Sequence, residues 1–131
     1  MIVGVGIDLL EIDRIKKLLA QTHGERFVAR VLTPEERELA AERRGARLAE
    51  FVAGRFAAKE AVVKAIGCGL GRAVGFQDIR ILPDASGKPE CSLTPEAWGR
   101  LGRRQPLQIH LSITHSSTMA GAYAVAESAT E

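Results

Sequence analysis

The side chains of this 131-residue chain that could do chemistry together are two carboxylates, a lysine and a histidine. Asp8 follows a β-branched segment, and His115 ends a stretch of alternating polar and apolar residues. Glu60 and Lys64 lie one helical turn apart. Two carboxylates with few nitrogen ligands suit a hard cation such as Mg²⁺, which keeps several waters and takes oxygens from a substrate phosphate. A lysine would complement phosphate charge, and a histidine could act as a general base.

Glu60 has the most demanding surroundings of these residues. In a helix, Val63 lies roughly 20° and Glu60 roughly 40° from Phe56, which places Glu60 beside an apolar stripe. A charge at the margin of a core is costly unless it is paired or bound to a cation. Lys64 is the ordinary partner, because a glutamate four residues before a lysine forms a favourable helix ion pair. The partner of Glu60, a lysine or a cation, therefore decides its role.

Each of the other residues also has an ordinary structural interpretation. An aspartate after a strand is more often a turn or cap residue than a ligand, and a lone histidine is usually structural. His110, on the polar side of the same alternating stretch as Ser112, is expected to be a hydrogen-bonded strand residue. Sequence spacing alone does not bring Asp8, Glu60 and His115 together.

The elements that must position these residues form an α+β pattern, with helices first and strands gathered near the end. The first half predicts a buried strand over residues 2–10, an amphipathic helix over 12–21 and a short apolar connector over 27–32. It also predicts a capped helix over 33–44, which stops before Gly45, and a long helix over 48–66. The capped helix begins Thr-Pro-Glu-Glu, which predicts a capping box. The second half predicts a strand over residues 76–83, a turn over 84–89 and a return strand over 90–93. A short helix over 94–101, an alternating strand over 108–114 and a closing strand over 119–126 follow.

Composition predicts one globular domain over residues 1–131, because 46% of the residues are hydrophobic and 26% are charged. The net charge of +2 is too small to indicate a nucleic-acid partner. No apolar run approaches the roughly 20 residues of a membrane span, and the N-terminus lacks the basic region of a signal peptide. The two cysteines have no metal-ligand spacing. We therefore expect a cytoplasmic protein with reduced thiols, without a membrane or nucleic-acid partner.

Four motifs occur in order along the chain. They are Val-Gly-Ile-Asp at 5–8 with its continuation to Ile15, Arg-Phe-Ala-Ala-Lys-Glu-Ala-Val-Val-Lys-Ala at 55–65, Ser-Gly-Lys-Pro at 86–89 and His-Leu-Ser-Ile-Thr-His-Ser at 110–116. Together they resemble the 4'-phosphopantetheinyl transferases, specifically the short bacterial holo-acyl-carrier-protein synthases. The resemblance covers essentially the whole chain and implies a single α+β domain, with a small antiparallel sheet packed against a long helix and shorter helices.

The resemblance implies a Mg²⁺-dependent transfer of 4'-phosphopantetheine from coenzyme A to a serine of an apo acyl carrier protein. Adenosine 3',5'-bisphosphate would be released, in support of fatty acid or polyketide biosynthesis. By analogy Asp8 and Glu60 would bind Mg²⁺, and Lys64 would contact the pyrophosphate. Glu60, a metal-bound water or His115 could be the general base. The nucleotide or phosphate pocket would be lined by Gly87, Lys88, Pro89, His115 and Ser116.

The resemblance also implies protein partners. The carrier proteins are acidic, so basic residues on the first helix and the segment after it could steer them; the candidates for docking are Arg14, Lys17, Arg26 and Arg30, with Arg55 and Phe56. Short members of the family are typically homotrimers with the active site between subunits. The alternatives are a non-catalytic oligomeric module that binds a nucleotide or coenzyme A and, less favoured, a nucleic-acid binder.

Overall fold

The computed structural model describes residues 1–129. The first half consists of one strand followed by four helices: β1 (Ile2–Glu11), α1 (Ile12–Ala20), α2 (Gly24–Val31), α3 (Pro34–Ala40) and α4 (Gly45–Ile66). The second half begins with a 3₁₀ turn and contains four strands and one helix: Phe76–Asp78, then β2 (Ile79–Pro83), β3 (Pro89–Leu93), α5 (Pro95–Arg100), β4 (Gln108–His115) and β5 (Met119–Glu127). Within residues 1–129, no helix is long and apolar enough to cross a bilayer.

The main sheet has the strand order β1-β5-β4, and both of its strand pairs are antiparallel. In its register Asp8 lies opposite Ala122, and Ala122 lies opposite Ile113. Strands β2 and β3 form a separate antiparallel hairpin. The predicted α+β fold, with a small antiparallel sheet and one long helix, is confirmed.

Two glycines allow β1 to lie directly on α4. A Cβ atom on Gly4 would stand 2.1 Å from the carbonyl oxygen of Ala65, and one on Gly6 would stand 2.0 Å from that of Ala61. Neither distance is tolerable for a real side chain, so only glycine lets the backbones approach this closely. The close approach brings Asp8, two residues after Gly6, to the side of the helix that carries Glu60.

Small side chains fill the space between α4 and the sheet. The buried residues of α4 are mostly alanine and valine, and β5 contributes alternate alanines to the same core; the set includes Ala53, Ala57, Ala61, Val62, Ala122, Ala124 and Ala126. Helix α4 ends as its sequence predicts, at Gly67, whose left-handed φ of 94° closes the helix. A core of small residues places α4 close to the sheet along its length.

The expectation of a buried first strand is wrong for one of its two faces. The odd-numbered residues of β1 point away from α4 and are exposed, with Ile7 61% and Leu9 66% accessible. Val3, Val5 and Tyr123 of β5 are exposed on the same face. The reason is that α4 covers only one face of this three-stranded sheet. The β-branched run therefore marks an alternating strand with apolar residues on both sides.

Three predicted boundaries also differ from the structure. The apolar connector at 27–32 is a helix, α2, whose carbonyl groups are bound by side chains from distant segments. The capped helix ends at Ala40, and Gly45, with a φ of 55°, begins α4 instead of stopping α3. The strand predicted from residue 76 begins at Ile79, after the 3₁₀ turn.

Candidate active site

Lys64 joins the first strand to the long helix at the exposed end of the β1–α4 contact. Its Nζ donates to the carbonyl oxygen of Ile7 at 3.0 Å and forms an ion pair with Oδ1 of Asp8 at 3.4 Å. The local pair with Glu60, four residues earlier on the helix, is not formed. The ordinary interpretation of the Glu60 and Lys64 spacing is therefore wrong for this structure, because a carboxylate from β1 takes the lysine.

The side chain of Glu60 is half-buried, and its carboxylate forms no hydrogen bond with any residue in the range 1–129. Burial raises the pKa of Glu60, the nearby negative charge of Asp8 raises it further, and Lys64 opposes the shift. Two carboxylates thus lie near each other, with the ammonium group of Lys64 beside them. A cation would relieve the repulsion between them.

The donor set at this position fits Mg²⁺. The described part of the chain contains no cluster of three or more histidine, cysteine or acidic residues suited to a metal. Asp8 and Glu60 would supply two oxygens, and the partial exposure of both leaves room for water and phosphate oxygens. Mg²⁺ is commonly held in this way, by one or two carboxylates together with substrate phosphates.

Lys59, the neighbour of Glu60 in sequence and part of the motif at 55–65, points into the core; the motif predicted no role for it. Its side chain is completely buried, and its Nζ donates to Glu36 Oε1 at 2.8 Å. The other oxygen of Glu36 accepts the backbone N–H of Ile81 at 2.7 Å. Burial lowers the pKa of Lys59, and the Glu36 carboxylate opposes the shift. The available signal was its spacing of seven residues from the apolar residue Val52, which places Lys59 about 20° from Val52 around the helix.

His115 lies at the end of β4, on the rim of a shallow cavity of about 330 Å³. In this cavity the Phe51 ring is sandwiched between the guanidinium groups of Arg43 and Arg55, each 4.4 Å from the ring centroid. Arg55 donates to the carbonyl oxygen of Ile81 at 3.3 Å, and its Nε is buried without a partner in the described chain. Burial lowers the pKa of Arg55, although a guanidinium stays protonated in proteins. The cavity is therefore cationic and has one aromatic wall.

The structure does not bring His115 to the carboxylate pair of the same chain. The cavity reaches Gly54 on α4, six residues before Glu60 and therefore about 9 Å from it along the helix axis. Asp8 and His115 also lie on strands separated by β5. One chain thus carries two distinct parts, an acidic edge with Lys64 and a cationic cavity with His115.

The predicted nucleotide-pocket residues are divided between two regions. Gly87, with a φ of 89°, shapes the hairpin turn, and Asp84 Oδ1 accepts the backbone N–H of Lys88 at 2.9 Å. Lys88 and Pro89 line a cavity of about 770 Å³ between the hairpin, α5 and β4. Ser116 instead organises the turn beside His115, because its Oγ accepts the backbone N–H of Met119 at 3.0 Å.

The predicted docking residues lie in three environments, which are the exposed surface of α1 and α2, an aromatic cluster and the cavity of His115. Four basic residues are exposed on α1 and α2, which pack on each other: Arg14, Lys17, Arg26 and Arg30. Lys17 pairs with Asp13 at 3.3 Å. Phe56 contacts two other rings: it is stacked on Phe27, with centroids 6.3 Å apart, and tilted by 41° relative to Phe76, with centroids 5.5 Å apart. Arg55 lines the cavity of His115, so it does not share the α1–α2 surface.

Known proteins resemble this chain along nearly its full length. The profile of the 4'-phosphopantetheinyl transferase superfamily matches residues 4–126. A holo-(acyl-carrier-protein) synthase of Geobacillus kaustophilus is 47% identical over 127 residues, covering 97% of this chain and 90% of the relative. One of Bacillus cereus is 46% identical over 129 residues, covering 98% of both chains.

Solved structures agree with the sequence comparison. The holo-(acyl-carrier-protein) synthase of Bacillus anthracis, in complex with CoA (3',5'-ADP), superposes with a TM-score of 0.84 at 45% identity, covering 98% of this chain and 99% of that one. The enzyme of Neisseria meningitidis superposes with a TM-score of 0.86 at 37% identity, covering 98% and 100%. With this fold, these motifs and this identity, the chain belongs to the 4'-phosphopantetheinyl transferase superfamily and, within it, to the holo-(acyl-carrier-protein) synthases.

Proposed function

We propose that this enzyme transfers the 4'-phosphopantetheine group of coenzyme A to a serine of an apo acyl carrier protein. The observation that carries the proposal is the meeting of Asp8 and Glu60 at the β1–α4 contact, with Lys64 beside them. The relative of Bacillus anthracis was solved with CoA (3',5'-ADP), which supports coenzyme A as the donor. The acceptor follows from the names of the sequence relatives.

The acidic edge supplies the groups that a phosphoryl transfer needs. In the reaction, the serine oxygen forms a bond to the phosphorus that carries pantetheine, and the bond from that phosphorus to the leaving adenosine 3',5'-bisphosphate breaks. Asp8 and Glu60 would hold Mg²⁺, which would supply positive charge to offset the negative charge on the transferred and leaving phosphates. Lys64 turns from Asp8 to a pyrophosphate oxygen. Glu60 accepts the serine proton, because a carboxylate beside the transferred phosphate can act as a general base.

The cationic cavity at His115 binds the nucleotide end of coenzyme A in this proposal. Guanidinium groups recognise phosphate, and the wall formed by Phe51 suits the adenine ring. His115 does not contact Glu60 within one chain, so the cavity that serves a given acidic edge comes from a neighbouring subunit. An active site between subunits accounts for the separation of the two parts.

An assembly of three chains, a homotrimer, is the oligomer that we propose. The support in this structure is the apolar outer face of the main sheet, formed by Val3, Val5, Ile7, Leu9 and Tyr123. A contiguous exposed apolar face of this kind is typical of a protein–protein contact. Covering it with other copies of the chain would remove these side chains from water.

The acidic carrier docks on the basic surface of α1 and α2 in this proposal. Arg14, Arg26 and Arg30 are exposed there, and an acidic partner would be steered toward them. The reaction serves fatty acid or polyketide biosynthesis in the cytoplasm. Free thiols at Cys68 and Cys91 are consistent with a reducing compartment.

A mass measurement tests the proposal. The enzyme is incubated with coenzyme A, Mg²⁺ and an apo acyl carrier protein, and we expect the carrier to gain the mass of one phosphopantetheine. Asp8→Asn should abolish the gain, whereas Glu42→Gln, which removes an exposed carboxylate elsewhere, should preserve it. The absence of any gain on every carrier tested would favour a module that only binds coenzyme A.

A further inference from the structure

Helix α2 is too short to be stable by itself. It has eight residues, and its N-cap residue His23 makes no side-chain capping bond. Isolated helices of this length are unstable in water, and the last carbonyl groups of any helix lack partners within the helix. The position of α2 must therefore come from contacts with the rest of the fold.

Gln77, from the 3₁₀ turn before β2, binds the C-terminal end of α2. Its Nε2 donates to the carbonyl oxygens of Ala29 at 3.0 Å, Arg30 at 3.1 Å and Leu32 at 2.8 Å. Two amide hydrogens are thus shared among three acceptors. Gln77 itself is exposed, so its side chain covers the C-terminal end of α2 from the solvent side.

Lys59 binds the remaining carbonyl group from the buried side. Its Nζ donates to the carbonyl oxygen of Val31 at 2.7 Å and to that of Phe76 at 3.0 Å, and it also forms the ion pair with Glu36. All three ammonium hydrogens are used. The positive charge also lies at the negative end of the α2 dipole. Because Lys59 precedes Glu60, α2 is joined to the helix that carries the acidic edge.

We propose that Gln77 and Lys59 are positioning residues that clamp α2 to α4. The clamp holds the exposed Arg26 and Arg30 at a fixed distance from Glu60, so that a carrier docked on α2 presents its serine to the acidic edge. This inference rests on the proposed function, in which α2 contacts the carrier. Neither positioning residue contacts the substrates.

Gln77→Met is the decisive variant, because it keeps the side-chain length and removes the donor without leaving a buried charge. The wild type, Gln77→Met and the control Gln105→Met are assayed with varied apo carrier and with varied coenzyme A. In Gln77→Met we expect KM for the carrier to rise at least about threefold, with KM for coenzyme A unchanged. Gln105 is exposed and outside both proposed surfaces, so its variant should match the wild type.

A double-mutant cycle separates positioning from general stability. If Gln77 acts through Arg30, then Arg30→Ala should cost much less in Gln77→Met than in the wild type, because the arginine is already displaced. Hydrogen exchange should become faster in residues 25–32 and stay unchanged in α4. A role in stability alone would instead give additive effects on kcat/KM.

The outcomes distinguish this inference from the proposed function. If the wild type transfers phosphopantetheine, three results would overturn the clamp alone. These are an unchanged KM for the carrier in Gln77→Met, equal rises in the KM values for the carrier and for coenzyme A, and additive effects in the double-mutant cycle. A wild type that modifies no carrier overturns the proposed function, and the clamp with it.

Discussion

Glu60 is a residue whose charge is unfavourable for the fold, and the proposed function gives a reason for its presence. Its charge is opposed by burial and by Asp8, and the lysine one turn away is engaged elsewhere. In the folded chain its pKa is raised, so between its ordinary and its raised pKa the folded state binds more protons than the unfolded state. The contribution of Glu60 to stability therefore falls as pH rises through that window, and without metal the ionised carboxylate is a cost at neutral pH.

Glu60→Gln should accordingly separate stability from activity. In metal-free buffer we expect its Tm at neutral pH to equal or exceed that of the wild type, and the Tm of the variant relative to the wild type to rise as pH increases from about 4.3. Added Mg²⁺ should raise the Tm of the wild type and not that of the variant. Transfer should fall on the order of 10²–10³-fold. Calorimetry across pH, with and without Mg²⁺, checks the first three outcomes; a strongly destabilised variant would contradict them.

The buried pair of Lys59 and Glu36 should behave in the opposite way. Lys59→Met leaves the Glu36 carboxylate completely buried without its partner, so we expect a loss of about 3–5 kcal/mol in the free energy of unfolding. Lys17→Met, which breaks an exposed ion pair with Asp13, should cost less than about 1 kcal/mol. Urea denaturation of both variants gives the comparison, and similar losses would refute it.

At the scale of elements, the contact of β1 with α4 depends on the absence of a side chain. Gly6→Ala introduces a Cβ atom 2.0 Å from the Ala61 carbonyl oxygen, so the strand must move. We expect a loss of about 1–3 kcal/mol and weaker Mg²⁺ binding, since Asp8 moves with the strand. Gly99→Ala, in α5, meets nothing within 4 Å and should stabilise by roughly 0.5–1 kcal/mol. Thermal unfolding and Mg²⁺ titration test the pair.

Local rules predicted the elements whose ends are determined by neighbouring residues. The capping box of Thr33 with Glu36 and the closure of α4 at Gly67 are both formed as expected. Helix α2 was missed because its carbonyl groups are bound by Lys59 and Gln77, which are distant in sequence. Short-range patterns contain no information about such partners.

The candidate site shows the same limit. The motifs identified Asp8, Glu60 and Lys64, and the fold brings these three residues together. The sequence rule for neighbouring charges paired Lys64 with Glu60, whereas the fold pairs it with a carboxylate 56 residues away. The same helix turns Lys59 inward, which the motif alone did not reveal.

At the scale of the whole molecule, the separation of His115 from Glu60 can be tested by mixing inactive chains. Glu60→Gln and His115→Ala chains are combined, dissociated and reassembled. If each site joins the acidic edge of one subunit to the cavity of the next, random trimers regain roughly a quarter of wild-type activity, because that fraction of interfaces is intact. The same procedure applied to either variant alone is the control. No recovery in mixed assemblies would place both parts of the site in one chain.

Strand β1 carries two interleaved sets of residues. Its even positions, including Asp8, face α4, while its odd positions, including Ile7, form the apolar outer face. A substitution can alter one set and leave the other intact, but the insertion or deletion of a single residue exchanges the two faces. A substitution can thus change the residues at the acidic edge or those of the apolar outer face separately, whereas a change in the length of β1 alters both. In a strand of this kind we therefore expect single-residue insertions and deletions to be tolerated less well than substitutions.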